Sequence, residues 1–464
     1  MSVGLAASVD AFAKGVVRKL AGLTEIQDHQ ESSLGVAVAY SGGLDSSVLL
    51  HLVHQFCVDR QIPFFAFHVH HGLSPNADDW AKHCAAECAR LDIAFEMVQV
   101  EVKQNGEGIE AAARDARYAA LGSLCQKFNA SLLLTAHHLD DQAETLLMQL
   151  LRGSGPRGLC GMDDSNYAPD LLKNSSLMMA RPLLQESRKQ LEMYAQLHAL
   201  SYVIDESNED LRYTRNAIRH QLMPQLELIA PQFSHRFARS ASHIRAANRM
   251  LDELAQSDLQ AAQTNNGLEI SILSQLSSDR IDNLLRYWLS MAQVQMPSTS
   301  KLNEMRKQLF SARDDARIQI HHLDFTLSRY DGRIHLIPLK KHDEEQASVR
   351  MIWAGQSELA IPEMDGRLIF EESECGIDYE QLIDKEILVK KRVSGMRLRL
   401  GKNRPSRDMK SHFQSARIPF WRRSQLPFVF LDDRLFFVAE LGMDASFLSE
   451  GSGKKIQLSW KANT

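Results

Sequence analysis

Residues 34–47 read LGVAVAYSGGLDSS, and they carry the strongest fold signal in the chain. Its first seven residues form a short apolar run followed by glycines, which predicts a buried parallel strand. The apolar residues from Val48 to Val53 predict a helix directly after it. Gly42 and Gly43 allow a tight turn, and the hydroxyls and free N–H groups at a helix start favour an anion. The stretch therefore predicts a phosphate-binding loop, with an ordinary Gly/Ser turn as the structural alternative.

Two commoner phosphate-binding loops are excluded at this junction. Neither G-x-x-x-x-G-K-[ST] nor G-x-G-x-x-G occurs there, so the P-loop and the dinucleotide-binding loop are both ruled out. A phosphate-binding loop at this position would therefore be of another kind.

The N-terminal half continues as alternating strands and helices. We predict strands at 63–70, 95–102, 131–135 and 176–180. We predict helices at 76–91, 108–128, 140–151 and 187–199. This order is typical of a doubly wound parallel sheet with helices on both faces, so the fold class is α/β. Ligands in such sheets bind beyond the carboxyl ends of the strands.

Two histidine-containing motifs follow predicted strand ends. Residues 68–71 read HVHH, but alternate strand residues point to opposite faces, and no carboxylate or cysteine stands at a fitting spacing for a metal site. Residues 137–145 read HHLDDQAET, in which Asp141 and Glu144 are three apart and share one helix face. Helix capping by Asp140 or Asp141 is the structural alternative. Two acids and a histidine beside a phosphate loop are better explained by Mg²⁺ and charge handling.

Length and composition indicate a soluble globular protein. The 464 residues predict about two to three domains. Hydrophobic residues make up 44% and charged residues 24%, with no stretch of transmembrane length and no secretion signal. Six cysteines without disulfide or metal spacing fit a cytoplasmic protein, and Cys84 and Cys88 are expected on a buried helix face. The net charge of −5 argues against indiscriminate nucleic-acid binding, although a basic patch can exist within it.

The C-terminal half has such a patch. A mainly helical region is expected to about residue 315, closed by a hairpin over 318–337 that turns at Asp331-Gly332. Residues 385–424 contain thirteen Lys/Arg and two acids, which is typical of a segment that binds the phosphate backbone of a nucleic acid. Paired strands are expected on either side of Asp432-Asp433. The predicted organisation is an N-terminal extension at 1–33, a catalytic domain at 34–215, a mainly helical domain at 216–340, a linker or boundary at 341–384, and a small α+β domain at 385–464.

Taken together, the motifs resemble the tRNA(Ile)-lysidine synthetase family, one of the N-type ATP pyrophosphatases with a PP-loop and an adenine nucleotide alpha hydrolase-like fold. The matching segments are SGGLDSS at 41–47, HVHHGLS at 68–74, GIEAAARDARY at 108–118, TAHHLDDQAET at 135–145, RGSGPRGL at 152–159, RPLL at 181–184, DESNEDLRYTRNAIR at 205–219 and MRLRLGKNRPSRDMK at 396–410. The first alone identifies only the superfamily, whereas the combination is much more specific.

The resemblance implies a two-step reaction on RNA. ATP and Mg²⁺ would adenylate O2 of the wobble cytidine in the CAU anticodon of an isoleucine tRNA. Free L-lysine would then attack C2 and release AMP. Positioning should supply much of the rate. No membrane partner is implied, and the sequence leaves an oligomer open.

The resemblance also implies roles for individual residues. The loop residues Ser41, Gly42, Gly43, Leu44, Asp45, Ser46 and Ser47 would hold the departing pyrophosphate, and Val69 and His70 would face the adenine. Asp45 and Asp141 are the Mg²⁺ candidates, and Arg114 and Arg117 would neutralise α-phosphate charge unless they pair with Asp115 or Glu110. His138 and Glu144 would contact lysine or the base, and Arg215 would hold the lysine carboxylate.

Further candidates concern the RNA. The expected tRNA contacts are Arg219, Arg397, Arg399, Lys402, Arg404, Arg407 and Lys410. The glycine-rich loop at 153–158 is a candidate lid over the target base, with a plain connecting loop as the alternative.

Two other functions compete with this assignment. Another PP-loop transferase, such as a tRNA thiolase or an amide-forming synthetase, would need cluster-binding cysteine pairs or a glutaminase region, and neither is evident. A non-catalytic RNA-binding protein on a degenerate ATPase fold would not need the loop, both acids and both arginines that this sequence retains.

Overall fold

The computed structural model describes residues 2–28, 35–72, 74–101, 109–264, 267–311, 318–338, 348–391, 395–449, 451 and 453–462. The start of the predicted helix at 108, the motif residue Leu73, and the ends of the predicted segments 1–33 and 216–340 therefore lie outside the described residues. The chain divides into two compact units, Met1–Asp252 and Glu253–Thr464.

A six-stranded sheet in the order β3-β2-β1-β4-β6-β5 organises the first unit. Its strands are β1 (Val36–Ala39), β2 (Phe64–His70), β3 (Ala94–Gln99), β4 (Leu132–Leu134), β5 (Ser165–Tyr167) and β6 (Met178–Ala180). The predicted parallel sheet is confirmed, because β1 pairs in parallel with both β2 and β4, and β3 and β6 extend it in parallel. The antiparallel edge strand β5 was not predicted, since its sequence Ser-Asn-Tyr has no apolar alternation.

Helices cover both faces of this sheet. They are α1 (Ser2–Asp28), α2 (Leu44–Arg60), α3 (Ala77–Arg90), α4 (Ile109–Lys127), α5 (Leu139–Leu151), α6 (Pro156–Leu159), α7 (Pro169–Leu172) and α8 (Arg188–Leu197). Successive residues of β1 enter different cores, as the strand period requires: Val38 packs with α2 and α8, and Ala37 packs with Leu121 of α4. Each face of the sheet therefore has its own apolar core.

Helix α1 belongs to the first of these cores. Val9, Phe12, Val16 and Leu20 recur at helical spacing, are all at most 5% exposed, and pack with α2 and α8. Each such burial is worth about 1.5–3 kcal/mol. The described part of the predicted N-terminal extension is thus an integral helix of the first unit. Cys84 and Cys88 are also buried as expected, and burial raises the pKa of each thiol to about 12.

Helical segments follow the sheet along the chain. They are α9 (Thr214–Ala217), a π-helical turn (Ile218–Leu222), α10 (Met223–Ile229) and α11 (Phe233–Ala262). Ile218, Met223 and Phe233 pack on Ala143 of α5. This packing fixes the segment that carries Arg215 and Arg219 against α5.

The second unit begins with a helical part and a five-stranded sheet in the order β7-β8-β11-β10-β9. Its elements are β7 (Gln263–Thr264), β8 (Gly267–Glu269), α12 (Ile270–Leu273), α13 (Ser278–Met291), α14 (Thr299–Ser311), β9 (Ile318–His322), β10 (Phe325–Tyr330) and β11 (Arg333–Pro338). The predicted hairpin turn is confirmed. Asp331 and Gly332 link β10 to β11 with positive φ angles of 50° and 72°, which suit a tight two-residue hairpin.

The remaining elements form antiparallel sheets around one core. They are β12 (Ser348–Trp353), β13 (Glu358–Ile361), β14 (Gly366–Asp378), α15 (Tyr379–Leu382), β15 (Lys385–Lys390), β16 (Arg397–Leu398), β17 (Arg407–Asp408), α16 (Met409–Ser415), α17 (Phe420–Arg423), β18 (Phe428–Leu431), β19 (Arg434–Val438), β20 (Gly442–Met443) and β21 (Lys455–Ala462). The expected strands around Asp432-Asp433 are β18 and β19.

Strands also occupy the described part of the predicted linker at 341–384. Trp353 and Phe370 share a core with Val389 and Phe428, which lie beyond that range. The acidic composition is compatible with strands because Glu371 and Glu372 are exposed while Phe370 is buried.

Candidate active site

The predicted phosphate loop joins β1 to α2. The hydroxyl of Ser46 donates to the carbonyl of Gly43 (3.0 Å) and lies 3.0 Å from the hydroxyl of Ser41. Gly43 is the N-cap of α2 and makes no side-chain cap bond. The first N–H groups of α2 are therefore left for an external acceptor, as an anion site requires.

Gly42 is required by its surroundings. Its φ is +82°, and an added Cβ would lie 2.8 Å from Cys84 Sγ and 3.3 Å from Val203 Cγ2. The N–H of Val203 donates to the carbonyl of Gly42 (2.9 Å), so a distant segment also holds the loop. A side chain at this position would strain the backbone and displace the loop.

His138 is the N-cap of helix α5, and this corrects the predicted cap. Nδ1 of His138 accepts from the N–H of Asp140 (3.2 Å), and the carboxylate of Asp141 accepts from the N–H of His138 (3.0 Å). Neither Asp140 nor Asp141 is the N-cap; Asp141 instead completes a capping box from the third helical position. Asp140 binds elsewhere, accepting from the N–H of Arg188 (2.9 Å) and the hydroxyl of Ser234 (3.0 Å).

The buried ring of His138 links the loop to α5. Its Nε2 lies 3.4 Å from Asp141 Oδ2 and 3.7 Å from Asp45 Oδ2, and its Nδ1 lies 3.6 Å from Asp140 Oδ2. Burial opposes a charge on this ring, but the carboxylates of Asp141, Asp45 and Asp140 outweigh it and raise the pKa of His138. Once Nδ1 is protonated, it can no longer accept a hydrogen bond from the N–H of Asp140. It can instead donate to the nearby carboxylate of Asp140.

The stability of the protein should depend on pH through this ring. Because the pKa of His138 is raised above 6.5, the charged form contributes fully below that pH and its contribution is lost as pH rises through the folded-state pKa. Replacing His138 by Gln, which can still accept at the helix cap, should therefore lower the free energy of unfolding more at about pH 6 than at about pH 9. Urea denaturation of both proteins measures this, and an equal loss at the two pH values would contradict a charged His138.

Two carboxylates and two arginines form a closed cluster beside His138. Arg215 donates from Nε to Glu144 (2.7 Å) and from Nη2 to Asp141 (2.9 Å). Arg219 donates from Nε to Glu144 (2.6 Å) and from Nη2 to Asp141 (3.2 Å). Glu144 is fully buried, and burial of the Asp141 carboxyl, which alone would raise its pKa, is outweighed by His138 and Arg215, so that pKa lies well below its usual range.

This cluster brings together residues that the sequence assigned separately. Glu144 and Arg215, both expected to contact lysine, bind each other here. Arg219, expected to contact tRNA, lies in the same cluster rather than with the exposed cations of the C-terminal region. Arg215 and Arg219 contact the same carboxylates because residues four apart lie on the same side of a helical segment.

The three histidines at the carboxyl end of β2 contact different partners. His68 Nδ1 lies 2.9 Å from the carbonyl oxygen of Tyr40, and His70 Nε2 lies 3.1 Å from Asp78 Oδ1. Arg117 donates from Nε to His71 Nε2 (2.9 Å), and burial together with Arg117 lowers the pKa of His71 to about 4. In the described parts of the chain, no group of three or more His, Cys, Asp or Glu is arranged to hold a metal ion.

The two candidate α-phosphate ligands differ in their contacts. Arg117 reaches the end of β2 through His71, whereas the guanidinium carbon of Arg114 lies 4.9 Å from the ring centre of Tyr118. The side chain of Glu110, an alternative partner of both arginines, lies outside the described residues.

Arg188 is a site residue that sequence reasoning missed. It is the first residue of α8, and its Nη1 donates to Asp45 Oδ2 (3.2 Å). The capping box of Ser187 and Gln190 was the available signal, since it marks the start of the helix that follows β6 and its connecting loop.

The oxygens of Asp45 and Asp141 differ in their fitness for Mg²⁺. Asp45 Oδ1 is buried and has no hydrogen-bond partner in the part of the chain that the structure describes. Both oxygens of Asp141 already accept hydrogen bonds. Since Mg²⁺ is commonly held by one or two carboxylates plus phosphate oxygens, Asp45 fits such a site better than Asp141, because one of its oxygens has no protein partner among the described residues.

The candidate lid at 153–158 continues into α6. Gly153 has a φ of +67°, and Arg157 of α6 donates to Asp252 Oδ1 (2.7 Å). This ion pair is exposed and holds the loop to Asp252, so closure of the loop over a base would act on it.

The other candidate tRNA contacts lie at a surface of the second unit. Arg397, Lys402, Arg404, Arg407 and Lys410 are all exposed. The short pairing of β16 with β17 and a bond from Arg397 Nη2 to the carbonyl of Ser406 (2.6 Å) fix this segment. Arg399 is half-buried, and its N–H donates to Asp444 Oδ2 (2.9 Å).

Among the described residues no helix is long and apolar enough to cross a membrane.

Comparison with known proteins places both units in one family. The model for a PP-loop domain matches residues 15–226. Models for the TilS substrate binding domain and the TilS substrate C-terminal domain match residues 268–335 and 387–460.

Whole proteins match over nearly the same length. The tRNA(Ile)-lysidine synthase of Alkalilimnicola ehrlichii is 40% identical over 414 residues, which cover 89% of this chain and 91% of the relative. Those of Serratia proteamaculans and Burkholderia mallei are 38% identical, covering 91% of this chain and 94% of the relative, and 37% identical, covering 88% and 89%. The chain belongs to the tRNA(Ile)-lysidine synthase family.

Proposed function

We propose that this protein joins free L-lysine to C2 of the wobble cytidine in the CAU anticodon of an isoleucine tRNA, with conversion of ATP to AMP and pyrophosphate. O2 of the cytosine attacks the α-phosphorus, and pyrophosphate leaves. The lysine amine then attacks C2 and loses a proton, and AMP leaves with the former O2. Adenylation is needed because this oxygen is otherwise a poor leaving group.

The observation that carries the proposal is the buried charge cluster beside the phosphate loop of a chain in this family. Asp45 of the loop helix and Asp141 of α5 both approach His138 Nε2, at 3.7 and 3.4 Å. The nucleotide loop and the cluster therefore share one corner of the sheet, at its carboxyl edge. Adenylation and amine attack can thus use one bound anticodon base.

The chemistry of the cluster supports lysine binding. Glu144 and Arg215 form an ion pair at 2.7 Å, and free lysine carries both a carboxylate and ammonium groups. A bound amino acid can therefore replace this internal ion pair with two new ion pairs. Its ammonium group would pair with Glu144, and its carboxylate would pair with Arg215. Arg219 keeps Glu144 paired during the exchange.

The phosphate side uses other residues. The loop N–H groups and the Ser41 and Ser47 hydroxyls would hold the departing pyrophosphate, and Arg114 and Arg117 the α-phosphate. An Mg²⁺ held by Asp45 would offset charge on the phosphate oxygens. His138, held between three carboxylates, orients Asp45 and Asp141. We place the reaction in the cytoplasm, where ATP, lysine and tRNA occur together.

Labelled lysine tests this function directly. The protein is incubated with ATP and an isoleucine tRNA transcript that carries CAU, and with the same transcript carrying uridine at the wobble position. We expect label only in the first RNA, because the reacting O2–C2 unit must belong to a cytosine with its amino group. Label in both RNAs, or in neither, would refute the proposal.

The basic surface should control tRNA affinity. Replacing both exposed residues Arg404 and Arg407 by Ala should weaken tRNA binding and flatten the plot of log affinity against log salt by about 1–2 units, because each lost phosphate contact removes up to ~0.9 from the slope. Filter binding across a salt series measures this. The double replacement of Lys14 and Lys82 by Ala, two exposed paired lysines of the first unit, is the charge-matched control. An equal change in that control would locate the RNA surface elsewhere.

A further inference from the structure

We propose that Arg188 holds Asp45 before ATP binds and then moves from that carboxylate to the phosphates, so that Mg²⁺ enters the site only together with ATP. This inference rests on the proposed function, because it concerns the order in which the ligands of that site bind. Arg188 Nη1 donates to Asp45 Oδ2 at 3.2 Å. Asp45 is also the carboxylate that offers Mg²⁺ an oxygen with no partner among the described residues. The arginine and the metal therefore compete for one carboxylate.

Arg188 is fixed at its backbone and free to move at its end. Its N–H donates to Asp140 Oδ2 (2.9 Å), and a capping box closes the same helix start. The side chain is 42% exposed. Its Nε contacts Glu192 at 3.2 Å, so the guanidinium uses one nitrogen for Glu192 and another for Asp45. It can therefore leave Asp45 and stay tied to its own helix.

The carboxylates of the site already have cationic partners within the protein. The carboxylates are Asp45, Asp140, Asp141 and Glu144, and the side chains that contact them are Arg188, His138, Arg215 and Arg219. Mg²⁺ arriving alone would meet these cations, and their repulsion is weakly screened because the groups are partly or fully buried. ATP removes this obstacle, since its phosphates bring negative charge for both the metal and a guanidinium.

The position of Arg188 places it within reach of the phosphates. Asp45 is the second residue of α2, so the guanidinium that contacts it lies beside the first turn of that helix. The N–H groups of this turn are the ones that face an anion. A guanidinium presents paired donors that match phosphate oxygens, and the polyanion attracts it more strongly than one carboxylate does. Its transfer to the phosphates would leave Asp45 to the metal.

Metal binding without nucleotide is the first part of the test. Mn²⁺ replaces Mg²⁺, because electron paramagnetic resonance measures free Mn²⁺ in a titration of the full-length protein. Arg188→Gln removes the charge and keeps most of the side chain. Lys189→Gln is the matched control, since Lys189 is the exposed next residue of the same helix. We expect Arg188→Gln to bind Mn²⁺ roughly fivefold or more tightly than wild type, and Lys189→Gln to bind it like wild type.

Nucleotide binding without metal is the second part. The probe is α,β-methylene-ATP, which cannot release pyrophosphate, and calorimetry in the presence of a chelator measures its affinity. Arg188→Gln should raise the Kd roughly 10- to 100-fold, because a charge-assisted contact to phosphate is lost. Arg188→Lys keeps the charge and should recover most of both effects. Adding Asp45→Asn to Arg188→Gln should abolish the gain in Mn²⁺ affinity, since the gained metal is held by that carboxylate.

Several results would overturn the proposal. They are an unchanged Mn²⁺ affinity in Arg188→Gln, an unchanged nucleotide affinity in that variant, or equal changes in Lys189→Gln. An ordinary structural ion pair would give the first two, with a loss of stability alone. Should Arg188→Gln fail to fold, wild type still decides, because Mn²⁺ that binds as tightly without the nucleotide analogue as with it excludes joint entry. Lysine incorporation is scored separately. Product formed without the Arg188 effects refutes only this inference, and the effects without product refute only the proposed function.

Discussion

Asp45→Asn is expected to lower the rate of pyrophosphate release by about two to three orders of magnitude, the usual effect of removing one group that stabilises developing charge. Asp45 Oδ1 is buried without a partner, and Oδ2 accepts from Arg188 at 3.2 Å and lies near His138. An amide keeps the shape but lacks the negative charge that attracts a cation, and it can turn a donor toward Arg188 or His138. Rapid quench of the reaction at saturating ATP and tRNA measures the rate.

Asp59→Asn is the control for this prediction, because Asp59 is an exposed residue of the same helix. That variant should react at the wild-type rate. Both variants should bind tRNA with unchanged affinity, since Asp45 acts on the nucleotide. A loss of tRNA affinity in Asp45→Asn as large as its loss of rate would remove the assigned role.

Glu144→Gln is expected to lower the free energy of unfolding by about 3–5 kcal/mol, the usual loss when one partner of a buried ion pair is removed. Glu144 is fully buried, and its two oxygens accept from Arg215 and Arg219. The substitution leaves both guanidinium groups paired with Asp141 alone. Urea denaturation near neutral pH measures the change.

A surface pair in the same unit supplies the comparison. Glu96 contacts Lys127 at 2.7 Å, with their side chains 34% and 61% exposed. Glu96→Gln should therefore cost about 0–1 kcal/mol. If the two variants lost the same stability, the cluster around Glu144 would not hold α5 to the segment that carries Arg215 and Arg219.

Most of the fold of the first unit could be predicted from the sequence, because buried parallel strands have strongly apolar local sequences. The apolar runs around Val38 and Leu133 and the intervening amphipathic helices predicted β1–β4, β6 and their helices in order. Strand β5 was not predicted, because an edge strand of three polar or partly exposed residues needs no apolar pattern. Helix α1 was seen only as an extension, since sequence periodicity does not say which core a helix joins.

The site was predictable in its components and not in its pairing. The spacing of Asp141 and Glu144 placed both carboxylates on one face, and both do contact Arg215. Their partners lie more than seventy residues away along the chain, and no local pattern encodes such contacts. The capping role of His138 was missed because aspartate is the commoner N-cap, and tertiary charge contacts gave that position to the histidine.

The two half-reactions of the purified protein can be followed separately. ATP labelled separately in its α- and γ-phosphates is mixed with the tRNA, first without lysine and then with it, and pyrophosphate and free AMP are followed in time. We expect pyrophosphate release to require tRNA but not lysine, with AMP held on the RNA and freed only when lysine is added. Free AMP formed without tRNA would contradict it, because the base would then not be the group that attacks ATP.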